Sequence, residues 1–198
     1  LHLLALFCGL AVLASACTAF RAEGLLFSGS YSLSQFSQFF KILLAGAFFF
    51  VLITGGRLVS IEASVQPEYY LFLFLSVFGL MLLVSANELI LLFVALELSS
   101  FSLYLLVPMR DDRGGLRPQM EAGIKYLLFG VIATGFMLFG MSYLFGLTGT
   151  TFLPTLVSAV QQGAMPPIAL PAFALVLCGF FFKLAVFPFH FWVPDIYQ

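Results

Sequence analysis

A chain of 198 residues with 62% hydrophobic side chains, 9% charged side chains and a mean hydropathy of +1.11 cannot build the roughly 25% charged composition of an ordinary soluble domain. Its length allows about six membrane-spanning helices of about 20 residues with short connections, and a net charge of -1 gives no case for nucleic acid binding. Cys8, Cys17 and Cys178 lie inside apolar runs without a CxxC pair or a histidine at ligand spacing, and no GxGxxG or GxxxxGK string occurs. No disulfide framework, metal, iron–sulfur or nucleotide site is therefore expected, and any redox cofactor is expected in another subunit.

Apolar runs long enough to cross hydrocarbon fall near residues 3–20, 39–56, 69–86, 89–108, 122–146 and 169–190, which predicts an all-α, polytopic membrane protein forming a single membrane domain over residues 1–198. The first run ends in LASAC, Leu13 to Cys17, superficially a signal peptide with a lipid-modified cysteine. Only His2 precedes the run and the chain opens on Leu1, so the plainer expectation is a chain beginning partway through a longer protein. The Ser- and Gly-rich connection from Arg21 to Gln38 reads as a short extracytoplasmic hairpin or loop. The third and fourth helices are separated by little more than Asn87 and Glu88, which predicts a tight antiparallel pair. Arg110, Arg113 and Arg117 share one loop and Arg57 lies two crossings earlier, whereas the opposite side has Arg21, with Lys41 near a helix end. That bias places the 109–121 loop in the cytoplasm or its equivalent, with the arginines setting topology rather than binding a ligand.

Most ionisable residues fall at helix ends, but Glu97, in ALELSS, sits about nine residues from either end of the fourth helix, roughly 14 Å deep. A charge at that depth costs on the order of 3 kcal/mol on insertion scales, so a partner or a hydrated cavity is expected. The alternative is a protonated carboxyl hydrogen bonded to Ser99, Ser100 or a neighbouring helix. Lys183, in GFFFKLAVFPFHFWVPD, is the second intrusion, and Pro188 follows five residues later. Proline at 188 cannot donate to the Leu184 carbonyl, so the helix is expected to kink or break just after the lysine. Irregular backbone at membrane depth needs protein or a water-lined cavity around it, and lysine, freed carbonyl and break together point to a hydrated site. In the simpler reading Lys183 snorkels and Pro188 marks the helix end. Lys125 is expected about one turn inside the fifth helix, with Glu121 four residues before it, as an interfacial ion pair. His190 is a possible proton relay or a structural histidine. Trp192, between His190 and Asp195, fits a membrane interface, and Lys41 and Glu88 are expected to be solvated at helix ends.

Chemically, desolvation favours a neutral lysine while a nearby carboxylate favours the ammonium, so a Glu97–Lys183 pair whose separation changes would toggle proton affinity. The segments SANELILLFVALELSSFSLYLLVPMR, EAGIKYLLFG and FFFKLAVFPFHFWVPDIYQ resemble the antiporter-like subunit N family of bacterial NADH-quinone oxidoreductase, whose mitochondrial counterpart is NADH dehydrogenase subunit 2. The likeness runs from about Pro67 to Gln198 and more loosely over the two earlier helices. It implies proton translocation in the membrane arm of complex I, in the bacterial inner membrane or alternatively the mitochondrial one. Other membrane subunits would be its partners, with NADH, FMN, iron–sulfur clusters and quinone held elsewhere. Glu97 would match the family's mid-membrane glutamate, Lys183 the lysine of the broken seventh helix, and Lys125 the lysine that passes protons inward. Family members have about fourteen helices in inverted repeats, so this chain is expected to hold one broken helix of two and to lack a preceding helix. The competing expectations are a cation/proton antiporter or related hydrogenase or dehydrogenase subunit, and a structural membrane subunit whose buried pair fixes helix packing.

Overall fold

The computed structural model describes residues 1–55, 61–109, 116–163 and 165–197. Arg57, Arg110 and Arg113, on which the expected orientation rests, lie outside them, as does the side chain of Arg117. In chain order the elements are α1 (His2–Thr18), β1 (Gly24–Leu26), β2 (Tyr31–Leu33), α2 (Gln35–Thr54), α3 (Gln66–Val84), α4 (Leu89–Leu106), α5 (Leu116–Thr148), α6 (Leu153–Gln161), α7 (Ala169–Lys183) and α8 (Trp192–Tyr197). Among the described residues five helices, α1 to α5, are long and apolar enough to cross a membrane, with mean hydropathies of 1.8 to 2.3. Leu3, Phe7, Phe50 and Leu170 stand on the outside of the bundle, largely exposed, as lipid-facing residues do when hydrocarbon is the solvent.

Between the helices, small residues replace bulk. A Cβ at Gly79 of α3 would come within 2.6 Å of the Ser99 backbone nitrogen and 2.9 Å of the Ala95 carbonyl, so the backbones of α3 and α4 touch. Ser76 meets Ser99 at 3.3 Å one turn away, which fixes the expected antiparallel pairing. At Gly140 of α5 a Cβ would fall 2.6 Å from the Ala172 carbonyl of α7. Such close backbone approach is the usual basis of helix association in lipid. Around it Leu89, Leu96, Met137, Leu144, Leu156 and Val176 form one apolar core, while Ala5, Phe48, Leu52 and Tyr70 join α1, α2 and α3 in another.

The connection from Arg21 to Gln38 is a hairpin, with Gly24 opposite Leu33 and Leu26 opposite Tyr31. It folds onto the α3–α4 turn: Ser32 N–H donates to Ser85 O (2.8 Å), Asn87 N–H to Ser30 O (2.8 Å), and the Asn87 side chain to Gly29 O (2.9 Å). On the other side of that turn Leu89 N–H donates to Thr151 O (2.9 Å) and Leu153 N–H to Asn87 O (3.0 Å). The turn thus lies between hairpin and α5–α6 connection.

Three expectations change here. First, α2 starts at Gln35 rather than 39, because Ser34 and Ser37 form a capping box (3.0 and 3.2 Å) that starts the helix in a polar stretch. Lys41 is then two turns inside, only 7% exposed, its Nζ donating to the Tyr31 hydroxyl at 2.8 Å and 4.8 Å from that ring's centroid. It is buried rather than solvated, because the hairpin lays a phenol over it. Second, Glu88 sits at a helix end with access to water, as expected, but it is also held: the Ser30 and Thr151 hydroxyls donate to its two carboxylate oxygens at 2.5 and 2.6 Å. Third, α5 begins at Leu116, six residues before the expected 122, since Pro118 is tolerated in a first helical turn. Lys125 accordingly lies more than two turns along α5, not one.

Candidate functional site

The sixth apolar helix, α7, stops at Lys183 instead of reaching 190. Its 15 residues span about 22 Å, short of the roughly 30 Å hydrocarbon core. The break falls just after the lysine, as expected, but proline does not make it. Ala185 adopts a left-handed conformation (φ 53°), Ala185 N–H donates to Phe182 O (3.0 Å) and Val186 N–H to Phe181 O (2.8 Å). That pattern is a Schellman motif, which consumes the last carbonyls and ends a helix, three residues ahead of Pro188. Lys183 is consequently the last helical residue, where the negative end of the helix dipole favours an ammonium.

The Lys183 ammonium is not snorkelling: Nζ donates to Ser100 Oγ at 3.0 Å and Ser99 Oγ at 3.4 Å, both on α4. Ser100 in turn donates to the Leu96 carbonyl (2.8 Å). Of the partners expected for a protonated Glu97, the serines are thus turned to Lys183, and a residue of a neighbouring helix, Thr134, takes their place. Glu97, two and three residues before them, faces Thr134 of α5 and lies within the electrostatic reach of Lys183. One of its oxygens, Oε1, is buried without a hydrogen-bond partner. The carboxyl and the ammonium are therefore within electrostatic reach of one another, each with its own hydroxyl partners, Thr134 for Glu97 and Ser99 and Ser100 for Lys183, an arrangement in which a proton's position on either group alters the charge felt by the other.

Around Tyr104 and the end of α7 the interior is aromatic. Tyr104 packs edge-on against Tyr126 (centroids 4.5 Å), Tyr126 stacks on Trp192 (4.6 Å) and Phe182 (5.7 Å). The Trp192 Nε1–H donates to the Phe182 carbonyl at 3.3 Å. Trp192 is 9% exposed, a core residue closing the broken end of α7 rather than an interfacial anchor, because the break turns the chain back under Phe182. Lys125, beside Tyr126, makes the anticipated ion pair with Glu121 (2.8 Å). His190 lies against the rings of Phe187 and Phe191, with Nδ1 buried and unpartnered. The fold thus brings Glu97 and Lys183 together, sets Lys125 on the neighbouring α5, and gives His190 an aromatic setting. Ser99 and Ser100, expected as partners of Glu97, serve Lys183 instead, and the sequence reading does not reach Tyr104 or Thr134. Glu97, Ser100 and Tyr104 are spaced i, i+3 and i+7, one helical face, so Tyr104 is within reach of periodicity; Thr134, on another helix, is not.

A membrane bundle with a carboxyl–lysine pair at a helix break defines a class of ion-handling membrane proteins. Residues 86–198 match the family described as NADH:quinone oxidoreductase/Mrp antiporter, TM, and the chain belongs to that family. It is 50% identical over 187 residues to "NADH-quinone oxidoreductase subunit N 2" of Opitutus terrae, covering 94% of this chain and 39% of the relative. It is 45% identical over all 198 residues to the protein of the same name from Syntrophobacter fumaroxidans, covering 41% of that relative. The chain therefore spans about two fifths of the length of these relatives. Among solved structures, a chain of respiratory complex I from Thermus thermophilus superposes with a TM-score of 0.78 at 32% identity, covering 98% of this chain and 40% of that one. A chain of the archaeal membrane-bound sulfane sulfur reductase gives a TM-score of 0.84 at 22% identity, covering 100% and 42%, a likeness of fold alone. The family read from the sequence is borne out.

Proposed function

We propose that this chain is the proton-carrying part of a subunit N of NADH-quinone oxidoreductase, a multi-pass protein of the bacterial inner membrane that works alongside the other membrane subunits of complex I. It contributes to a translocase without performing redox chemistry itself. The observation that carries the reading is the Lys183 ammonium at the broken end of α7, held by Ser99 and Ser100 with Glu97 in electrostatic reach. Subunit N is favoured over an antiporter by the 45–50% identity to relatives of that name across nearly the whole chain.

In this reading Lys183 takes a proton and becomes an ammonium stabilised by two hydroxyls, the end of α7 and the Glu97 carboxylate. When the Glu97 charge is neutralised or moves off, the desolvated ammonium loses its counter-charge and gives the proton up. Lys125, paired with Glu121, serves as the next carrier, and His190 is held in reserve as a candidate relay. Electron transfer from NADH to quinone, in the other subunits, supplies the drive. The test uses the full-length subunit in the assembled complex, in inverted membrane vesicles. Glu97→Gln and Lys183→Ala should keep assembly and lower proton uptake per NADH oxidised. Unchanged uptake in both, with normal assembly, would remove the proposed roles.

A further inference from the structure

We propose that the Tyr104 hydroxyl is a proton relay between the Glu97–Lys183 pair and Lys125, a role that rests on reading that pair as a proton carrier. Tyr104 is 5% exposed, and its buried hydroxyl makes no hydrogen bond of full geometry, with the Ser100 hydroxyl as its polar neighbour on α4, a weakly satisfied state that is costly for a phenol. Its position is defined at both ends. On α4 it lies one turn beyond Ser100, which holds Lys183, and two turns beyond Glu97, whose charge reaches the phenol. On α5 the hydroxyl sits directly against Gly130, where a Cβ would collide with it. Gly130 is five residues from Lys125, about 7.5 Å along the helix. The Gly130 carbonyl accepts from Thr134 (3.0 Å), the residue that faces Glu97. One side chain of the aromatic cluster thus starts on the helix that holds Lys183 and lodges its polar atom on the helix that carries Lys125, in a notch that only glycine leaves open.

A phenol can do this without changing charge. A proton arrives on an oxygen lone pair as the hydroxyl's own proton departs from the other side, so one O–H bond forms while one breaks and the group is neutral before and after. The rings of Tyr126, edge-on to Tyr104, Phe182 and Trp192 pack around it, and the Tyr104 hydroxyl is the polar atom of this cluster that sits at the Gly130 notch.

The experiment places Tyr104→Phe in the full-length subunit, in the assembled complex, and measures proton uptake per NADH in inverted vesicles beside Lys183→Ala. Tyr104→Phe, which keeps the ring, should lose as much uptake as Lys183→Ala while quinone reduction persists. Gly130→Ala, which displaces the phenol but keeps the hydroxyl, should lose part of it. Wild-type uptake in Tyr104→Phe with loss in Lys183→Ala overturns the relay and leaves the functional reading intact; wild-type uptake in both removes the two together. Should the phenylalanine variant fail to assemble, fluorotyrosine incorporated at 104 decides. A more acidic phenol should shift the pH profile of uptake to lower pH, and an unmoved profile overturns the relay, because a merely packed ring would not change it.

Discussion

Two glutamates nine residues apart on the same stretch of chain meet opposite fates. Glu88, at the start of α4, has a hydroxyl donating to each carboxylate oxygen, from Ser30 of the hairpin connection and Thr151 of the α5–α6 connection. Glu97, mid-helix, leaves one oxygen buried and unpartnered, with Lys183 near but held by serines rather than by the carboxyl itself. The difference separates a structural charge from one proposed to carry protons. A carboxylate satisfied on both oxygens is fixed and ties segments together. A carboxyl left short of partners is poised to exchange a proton or shift position. Lys41 and Lys183 differ in another way: Lys41 lies within a continuous helix under the Tyr31 ring, whereas Lys183 is the last residue of a broken one, held by two hydroxyls near a carboxyl.

The largest effect that sharpens this comparison is expected from Lys183→Leu. Ser100 keeps its bond to the Leu96 carbonyl and Ser99 its contact with Ser76, so the melting temperature of the purified complex should stay near wild type. The proton flux carried by this subunit should nevertheless fall on the order of 100-fold, the scale of a lost acid–base group. Ser100→Ala removes the shorter of the two bonds to the ammonium; at about 1 kcal/mol for a shared, replaceable hydrogen bond, a roughly five-fold slowing of uptake is expected in single-turnover measurements.

Glu88→Gln works the other way, weakening the structure while sparing transport. Losing the charge from two hydrogen bonds at a site open to water should cost about 1 kcal/mol in thermal or denaturant unfolding, with proton uptake per NADH unchanged. The pH dependence has a definite sign. The Ser30 hydroxyl, then the Thr151 hydroxyl, holds the folded carboxyl below its ordinary value of about 4.5, against a smaller opposing effect of burial. A carboxyl lowered on folding contributes its full stabilisation above that ordinary value and loses it as pH falls through the lowered folded one. Wild type and Glu88→Gln should therefore differ most at neutral pH and converge in acid. The smallest effect belongs to Ala185→Gly: removing the Cβ from a left-handed residue should stabilise the α7 terminus by up to about 1 kcal/mol, visible as slower amide hydrogen exchange in residues 180–186.

The sequence carried the helices because lipid demands long apolar runs, and it carried Glu97 and Lys183 because charges inside such runs are rare. Elsewhere the apolar-run criterion was too blunt. It started α2 late, since a capping box of two serines begins the helix before its apolar face does, and it made α5 short, since a helix can extend through LRPQME once Pro118 sits in the first turn. The break after Lys183 was anticipated for the wrong reason: Pro188 is visible in the sequence, but an alanine in a left-handed cap is a tertiary outcome that no propensity announces. Trp192 was read as an interfacial residue because its place under Phe182 depends on that break. Tyr104 went unnoticed since an aromatic on an apolar helix is ordinary, and only the notch at Gly130 on another helix makes its hydroxyl unusual.

The most direct measurement of the central claim compares Glu88→Gln with Glu97→Gln, the same chemical change at two positions of one chain, in the full-length subunit within the assembled complex. Proton uptake per NADH and thermal stability are read on the same preparations. The account predicts that Glu97→Gln loses uptake at nearly wild-type stability, while Glu88→Gln loses stability at wild-type uptake. Equal uptake in the two variants, or loss of uptake only at Glu88, would contradict it.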